Sequence, residues 1–237
     1  MTSILTSPNL WLNLSRLAAL LFTVFIAWMT YRSHLLLKEF RPDFNLLLSL
    51  PETIARLILV GLCLFLAWLS GLPAAELGLT VKNLWWSLSL GFGLGLLIQL
   101  IVSLITLQAI KYFGPGIYSS WLIRNILPRN RNEWLLVVLA FLPPVAMEEL
   151  LFRTLLIGLF QTIIPLPLLI LVTSVIFGLM HQPQGRLGMI GAGAINIVFC
   201  LLFLWTGELL VPLVAHYTVN LLQVVAASLY LPDWLKY

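Results

Sequence analysis

Two adjacent glutamates lie in a long apolar stretch of this 237-residue chain, between the uncharged runs Trp134–Ala146 and Thr154–Ile164. They are Glu148 and Glu149, and Arg153 follows four residues after the second. Burying an ionised group in hydrocarbon costs roughly 2.5–3.5 kcal/mol or more, and neighbouring carboxylates also repel each other. Residues four apart share a helix face, so we expect Arg153 to pair with Glu149. That pairing leaves Glu148 rotated by about 100°, toward another helix.

Further polar side chains in the apolar C-terminal half repeat this spacing. His216 and Asn220 are four residues apart on one predicted helix. Phe177 and His181 are four apart on another, where the aromatic ring can pack beneath the imidazole. A carboxylate and two imidazoles are a known zinc ligand set, so Glu148, His181 and His216 are candidate zinc ligands. Without a metal, Glu148 can act as a general base toward water, and Asn220 can donate its amide to an oxyanion. Each residue taken alone also has a purely structural explanation, and only their joint occurrence favours chemistry.

The composition predicts an integral membrane protein. The chain is 61% hydrophobic and only 9% charged, whereas soluble domains are about 25% charged. We expect a single membrane domain over residues 1–237, with N-terminal helices over 1–80 and the core helices over 134–231. Lys and Arg fall mainly in connecting loops, so the net charge of +4 does not indicate nucleic-acid binding. Cys63 and Cys200 lie inside apolar runs and are expected to be inert.

Seven apolar segments are candidate membrane spans. They are Leu10–Tyr31, Thr53–Leu69, Trp85–Ile110, Trp134–Ile164, Leu166–Met180, Leu187–Trp205 and Leu209–Leu231. The fourth is too long for one span and contains Pro143-Pro144, which predicts a kink or a break. The sequence therefore predicts an all-α polytopic membrane protein with seven or eight transmembrane helices around a polar cavity. The first apolar run lacks a preceding basic region, so we expect it to be retained rather than removed as a signal peptide.

The connecting segments give an orientation. The loops Arg32–Glu52 and Lys111–Glu133 fall on the same side, and their basic residues predict that this side is cytoplasmic and that the N-terminus is outside.

Glu208 follows the Thr206-Gly207 turn and is expected to be interfacial and solvated. Closely spaced glycines at 91–95 and 188–193 are typical of close helix packing.

Three short motifs give this pattern a family resemblance. Residues 148–153 have the form EExxxR, residues 177–181 the form FxxxH, and residues 216–220 the form HxxxN. In this order, on successive apolar segments, they resemble the CPBP family of intramembrane proteases. This is the CAAX-protease and bacteriocin-processing family, also called Abi, and it is related to the Rce1-type prenyl-protein endopeptidases. The segment Leu77-Gly78-Leu79 also resembles a family feature, although weakly.

The resemblance implies an intramembrane endopeptidase that cleaves a peptide bond with a glutamate-activated water, which some accounts place on zinc. In this family the first glutamate activates the water, the histidine of FxxxH lies in the catalytic centre, and HxxxN stabilises the oxyanion. The implied catalytic residues are Glu148, Glu149, His181, His216 and Asn220, with Arg153 and Phe177 in support.

The expected partners are the lipid bilayer and a membrane-associated substrate, either a prenylated peptide or a leader peptide. The compact length is expected of a bacterial member in the plasma membrane. A non-catalytic scaffold or bacteriocin-immunity factor stays open as an alternative. So does a small transporter of a cation or proton, although the chain lacks the internal repeats of many transporters.

Overall fold

The computed structural model describes residues 8–39, 44–117, 119 and 121–230, and every regular element among them is helical. The elements are α1 (Pro8–Glu39), α2 (Leu50–Leu69), α3 (Leu84–Phe113), α4 (Trp121–Ile126), α5 (Arg131–Ala140), α6 (Leu142–Glu149), a π-helical segment (Leu150–Gly158), α7 (Leu166–Met180), α8 (Gly185–Thr206) and α9 (Leu210–Tyr230). Three short 3₁₀ turns connect them at Leu46–Leu48, Pro115–Ile117 and Gln182–Gln184.

Within this described part, six segments are long and apolar enough to cross a membrane, and α7 is a shorter apolar helix. The all-α fold is confirmed, and the number of spans roughly matches the seven or eight predicted. Helix α7 has the predicted bounds. The two polar loops are shorter than predicted, because α1 continues past Tyr31 to Glu39 and α4 lies inside Lys111–Glu133. Arg41, Asp43 and Leu231 of the predicted segments lie outside the described residues.

The predicted break in the fourth segment lies at Phe141. Helix α5 ends at Ala140 and α6 begins at Leu142, with prolines in its first turn. Proline has no amide N–H and is tolerated only at the start of a helix, so one regular helix cannot run through this sequence. The break separates α5 from the residues that carry the acidic pair.

The π-helical segment Leu150–Gly158 is the centre of the fold. All nine of its residues are buried, and it packs against α1, α2, α7 and α8. Its side chains form the main hydrophobic core with residues such as Phe160, Phe177 and Phe203. Glu149 precedes this segment and Arg153 lies within it, so both charges enter the most enclosed part of the molecule.

Glycines allow close approach of the flanking helices. A Cβ atom on Gly91 would lie 2.7 Å from Val211 O, and one on Gly95 would lie 2.6 Å from Thr218 Cβ, so α3 packs directly on α9. A Cβ atom on Gly178 would lie 2.7 Å from Met189 O in α8. These contacts agree with the packing role predicted for the glycine-rich stretches, and they fix α9 and α7 beside the central segment.

The segment Leu77-Gly78-Leu79 connects the same elements through backbone groups. Thr154 Oγ1 donates a hydrogen bond to Leu77 O at 3.0 Å, and Leu209 N donates to Gly78 O at 2.8 Å. Gly78 has φ +71°, a conformation that is strained for residues with a Cβ atom. The segment therefore joins the π-helical segment to the start of α9.

Candidate active site

Glu149 is the hub of the polar cluster. Its side chain is fully buried, and its Oε1 atom accepts a hydrogen bond from His216 Nδ1 at 2.7 Å. The same oxygen lies 3.2 Å from Nη1 of Arg153, which is also fully buried. The predicted Glu149–Arg153 pairing across one helical turn is therefore present. A carboxylate only accepts hydrogen bonds, so the proton of the His216 ring sits on Nδ1.

Glu148 lies in a more open environment than its neighbour. Its side chain is 23% exposed, and its Oε2 atom lies 3.6 Å from His216 Nε2. That separation is too long for a direct hydrogen bond. One residue step on a helix rotates the side chain by about 100°, which explains why one glutamate is enclosed while the other reaches accessible space. His216 thus contacts both carboxylates, each through a different ring nitrogen.

Aromatic rings enclose the charged groups. The His216 ring stacks on Phe199, with centroids 5.1 Å apart, and meets the Phe177 ring edge-on at 6.1 Å. The Arg153 guanidinium lies 5.3 Å from the Phe199 centroid and 5.8 Å from that of Phe177. Cations are attracted to ring faces, and more strongly where water is excluded. The two rings therefore stabilise Arg153 and fix the plane of the His216 imidazole.

His181 lies at the end of α7, where the chain turns toward α8. Its Nδ1 atom is 2.7 Å from Phe177 O, and its ring lies 4.5 Å from the Phe177 ring. The carbonyl is an acceptor, so His181 also carries its proton on Nδ1. The predicted stacking of Phe177 beneath His181 is present. The Phe177 ring is thus near both imidazoles.

Asn220 follows His216 by one turn on α9 and is partly exposed. It makes no hydrogen bond to the described residues, so its amide is available to another molecule. The structure thus brings Glu148, Glu149, Arg153 and His216 together directly and places His181 beside them through Phe177.

The fit of a metal ion depends on how these donors are arranged. In both histidines Nδ1 is bound to an oxygen and Nε2 remains, an arrangement also found around metal-ligating histidines. However, the described residues contain no group of three His, Cys, Asp or Glu side chains that could hold a metal ion. A catalytic zinc needs three protein ligands. The described side chains do not form such a three-ligand group. Zinc binding by Glu148, His181 and His216 stays a prediction.

The structure adds one residue to the site, Phe199, and corrects one prediction, for Glu208. Phe199 belongs to no motif and has no sequence signal beyond its place on an apolar helix. The solvated environment predicted for Glu208 is wrong, because its side chain is only 1% exposed. Ser87 Oγ donates to its Oε2 at 2.5 Å and the Lys82 backbone N–H donates to its Oε1 at 2.9 Å. Glu208 therefore joins the start of α3 to the turn between α8 and α9.

One of the comparisons with known proteins finds a family match. Residues 130–222 match the family described as type II CAAX prenyl endopeptidase Rce1-like. The matched region begins just before α5 and includes Glu148, Glu149, Arg153, His181, His216 and Asn220. No curated protein and no solved structure matches the chain.

Proposed function

Because residues 130–222 match the Rce1-like family, we propose that this protein is an intramembrane endopeptidase in which Glu148 activates the attacking water. The match to this family supports the activity of a CAAX-type endopeptidase. The apolar helices agree with a location in the membrane. The observation that carries the mechanism is the 3.6 Å approach of the partly exposed Glu148 to His216, whose other nitrogen is held by Glu149.

The reaction begins with a water molecule beside Glu148 and His216. A water at about 2.8 Å from each can contact Glu148 Oε2 and His216 Nε2 together. Glu148 takes a proton from this water while the water oxygen bonds to the carbonyl carbon of the substrate. The carbonyl oxygen becomes an oxyanion. The C–N bond then breaks, and the proton on Glu148 passes to the departing nitrogen, which leaves as an amine.

The other polar groups position these reactants. Glu149 holds the proton of His216 on Nδ1, which leaves the Nε2 lone pair facing the water. Asn220 has a free amide on the same helix and is proposed to donate to the oxyanion, as the resemblance implies. His181 has its Nδ1 bound to Phe177 O, so its Nε2 remains available. No step is derived through zinc, because the described side chains do not form a three-ligand site.

The substrate is proposed to be a peptide at the membrane that carries a prenyl group near its cleavage site, as the family description suggests. A groove of about 390 Å³ between α3 and α9 supports this choice. It is lined by Leu88, Phe92, Val214, Tyr217, Thr218, Leu221 and Leu222. This apolar lining suits an isoprenoid chain. A leader peptide is the competing substrate, and the plasma membrane of a bacterium is the proposed location.

The test is Glu148→Gln, assayed with prenylated and unprenylated peptides in lipid nanodiscs. Removing the general base should lower kcat by at least about 100-fold while the thermal unfolding temperature stays near that of the parent. Glu76→Gln is the matched control, because Glu76 is exposed and lies outside the cluster. Unchanged turnover by Glu148→Gln would refute the assigned role.

A non-catalytic scaffold is the second candidate, and the full burial of Glu149 and Arg153 favours it for those two residues. A scaffold predicts that substitutions in the cluster change stability while the unmodified protein yields no cleavage product from either peptide. Cleavage that depends on Glu148 rejects the scaffold.

A further inference from the structure

A second buried polar group lies between α7 and α8, outside all three motifs. Asn196 on α8 is fully buried, and its Nδ2 atom donates to Ser174 Oγ on α7 at 3.0 Å and approaches Cys200 Sγ at 3.5 Å. Its Oδ1 atom has no hydrogen-bond partner among the described residues. Buried carbonyl oxygens nearly always have a partner, from the protein or from water. The described protein groups therefore do not satisfy this oxygen.

Arg153 supplies the complementary groups. It is fully buried, and none of its three guanidinium nitrogens has a well-formed hydrogen bond to the described residues, although Nη1 faces Glu149 at 3.2 Å. The second oxygen of that carboxylate, Glu149 Oε2, is also buried without a hydrogen-bond partner. Unmatched donors and unmatched acceptors thus occur together in one enclosed part of the protein.

The helix geometry places Arg153 level with Asn196. Helices α7 and α8 run antiparallel across a short turn, and Phe177 and Phe199 follow Ser174 and Asn196 by three residues each. Side chains on a helix lean toward its N-terminus, so the two rings lean toward the Ser174–Asn196 pair from opposite ends. Arg153 lies within 6 Å of both ring centroids, which brings its guanidinium toward the Ser174–Asn196 pair.

We propose that a buried water molecule joins Arg153 to Asn196 Oδ1 and Glu149 Oε2, and that Asn196 is thereby a positioning residue for the catalytic cluster. The water accepts a hydrogen bond from the guanidinium and donates one hydrogen to each oxygen. Three hydrogen bonds are typical of buried water, which occupies polar sites between otherwise unmatched groups. Asn196 Oδ1, Glu149 Oε2 and one guanidinium nitrogen of Arg153 then each gain a partner.

This water extends the cluster from the motif residues to α8. Asn196 holds the guanidinium through the water, the guanidinium holds Glu149, and Glu149 keeps the proton of His216 on Nδ1. The consequence for catalysis rests on the proposed function, in which His216 Nε2 faces the attacking water. The water itself and the protonation pattern of His216 do not depend on that function.

Two measurements test the proposal on the full-length protein in nanodiscs. A structure that resolves internal waters should contain density within about 3.2 Å of Arg153, Asn196 Oδ1 and Glu149 Oε2. Nitrogen NMR of histidine-labelled protein, with His216 assigned through His216→Gln, should find its proton on Nδ1. Absence of density at this position, where other internal waters are visible, would overturn the proposal.

The variant Asn196→Leu removes the acceptor at nearly constant volume, and Ser174→Ala is its matched control, because it alters the same pair but keeps Asn196 Oδ1. We expect Asn196→Leu to shift part of the His216 population to the Nε2–H form and to lower kcat roughly 10-fold, with KM unchanged. Ser174→Ala should keep the tautomer and kcat. Equal effects of both variants would indicate packing alone and reject the positioning role.

The two proposals fail in different ways. A protein that contains the water and the Nδ1 proton but cleaves no peptide rejects the peptidase and leaves the water network intact. A cleaving protein without the water rejects the network only. If Asn196→Leu does not fold, the density measurement on the unmodified protein still decides the proposal.

Discussion

Replacing Arg153 with methionine tests how much the buried ion pair between Arg153 and Glu149 stabilises the folded protein. Arg153 and Glu149 are both fully buried and 3.2 Å apart, and removing one partner of such a pair costs about 3–5 kcal/mol. His216 Nδ1 still donates to Glu149 at 2.7 Å in the variant, so we expect the lower end of this range. For a chain of this size each kcal/mol corresponds to about 2–4 °C, which predicts a fall in Tm of roughly 6–12 °C.

The assay is thermal unfolding in nanodiscs, followed by tryptophan fluorescence. Arg56→Met is the control, because Arg56 pairs with Glu52 at the same four-residue spacing but the two side chains are 24% and 58% exposed. Exposed ion pairs contribute at most about 1 kcal/mol, so this control should change Tm by no more than about 4 °C. Equal shifts for Arg153→Met and Arg56→Met would refute the argument that burial makes the Glu149 pair essential.

A double variant completes the test. Glu149→Gln combined with Arg153→Met leaves no unbalanced charge at the site, so the two effects should not add. We expect the double variant to be more stable than the sum of the single losses predicts. Additive losses would mean that the two side chains act on stability separately.

Three further outcomes are expected. Gly95→Ala should lower stability by about 1–3 kcal/mol, because its Cβ would lie 2.6 Å from the Thr218 side chain; Gly93→Ala, with nothing within 4 Å, should not. The Tm of both variants measures this. Ser87→Ala should cost about 1–3 kcal/mol by leaving a buried Glu208 oxygen unmatched, with kcat of the folded protein unchanged in the peptide assay. A chelator separates the metal-free mechanism from the predicted zinc site: activity that survives the chelator supports Glu148 acting on a water without metal, whereas inhibition that added zinc reverses supports zinc at Glu148, His181 and His216.

The positions of the helices follow closely from the sequence, because hydrophobic runs bounded by Pro, Gly and charged residues are strong signals. Leu166–Met180 was predicted with its observed bounds, and the break near Pro143-Pro144 was predicted from the missing proline N–H. The extension of α1 to Glu39 was missed, since the polar residues after Tyr31 suggested a loop although their helix propensity is high. The π-helical segment was also missed, because no local residue pattern distinguishes it from an α-helix.

The pairings within the site were predictable only where both partners share one helix. Four-residue spacing correctly predicted Glu149 with Arg153 and Phe177 with His181. The bond between His216 and Glu149 links α9 to the end of α6, and the stacking of Phe199 on His216 links α8 to α9, so neither has a local signal. Glu208 was misassigned for the same reason, since its partners on and before α3 are more than 120 residues earlier in the chain.

The different environments of the two adjacent glutamates follow from the burial of the segment after them. Every residue of Leu150–Gly158 is buried, so a charge that points toward it, such as Glu149, must be balanced by Arg153 and His216. Such an enclosed carboxylate is poorly placed to exchange protons with a substrate. Glu148 precedes Glu149 by one residue, points about 100° away and keeps 23% of its side chain accessible. The same helix thus provides Glu149 to hold the histidine and Glu148 to contact the water. A variant in which the two positions had to exchange these roles should therefore not cleave the peptide.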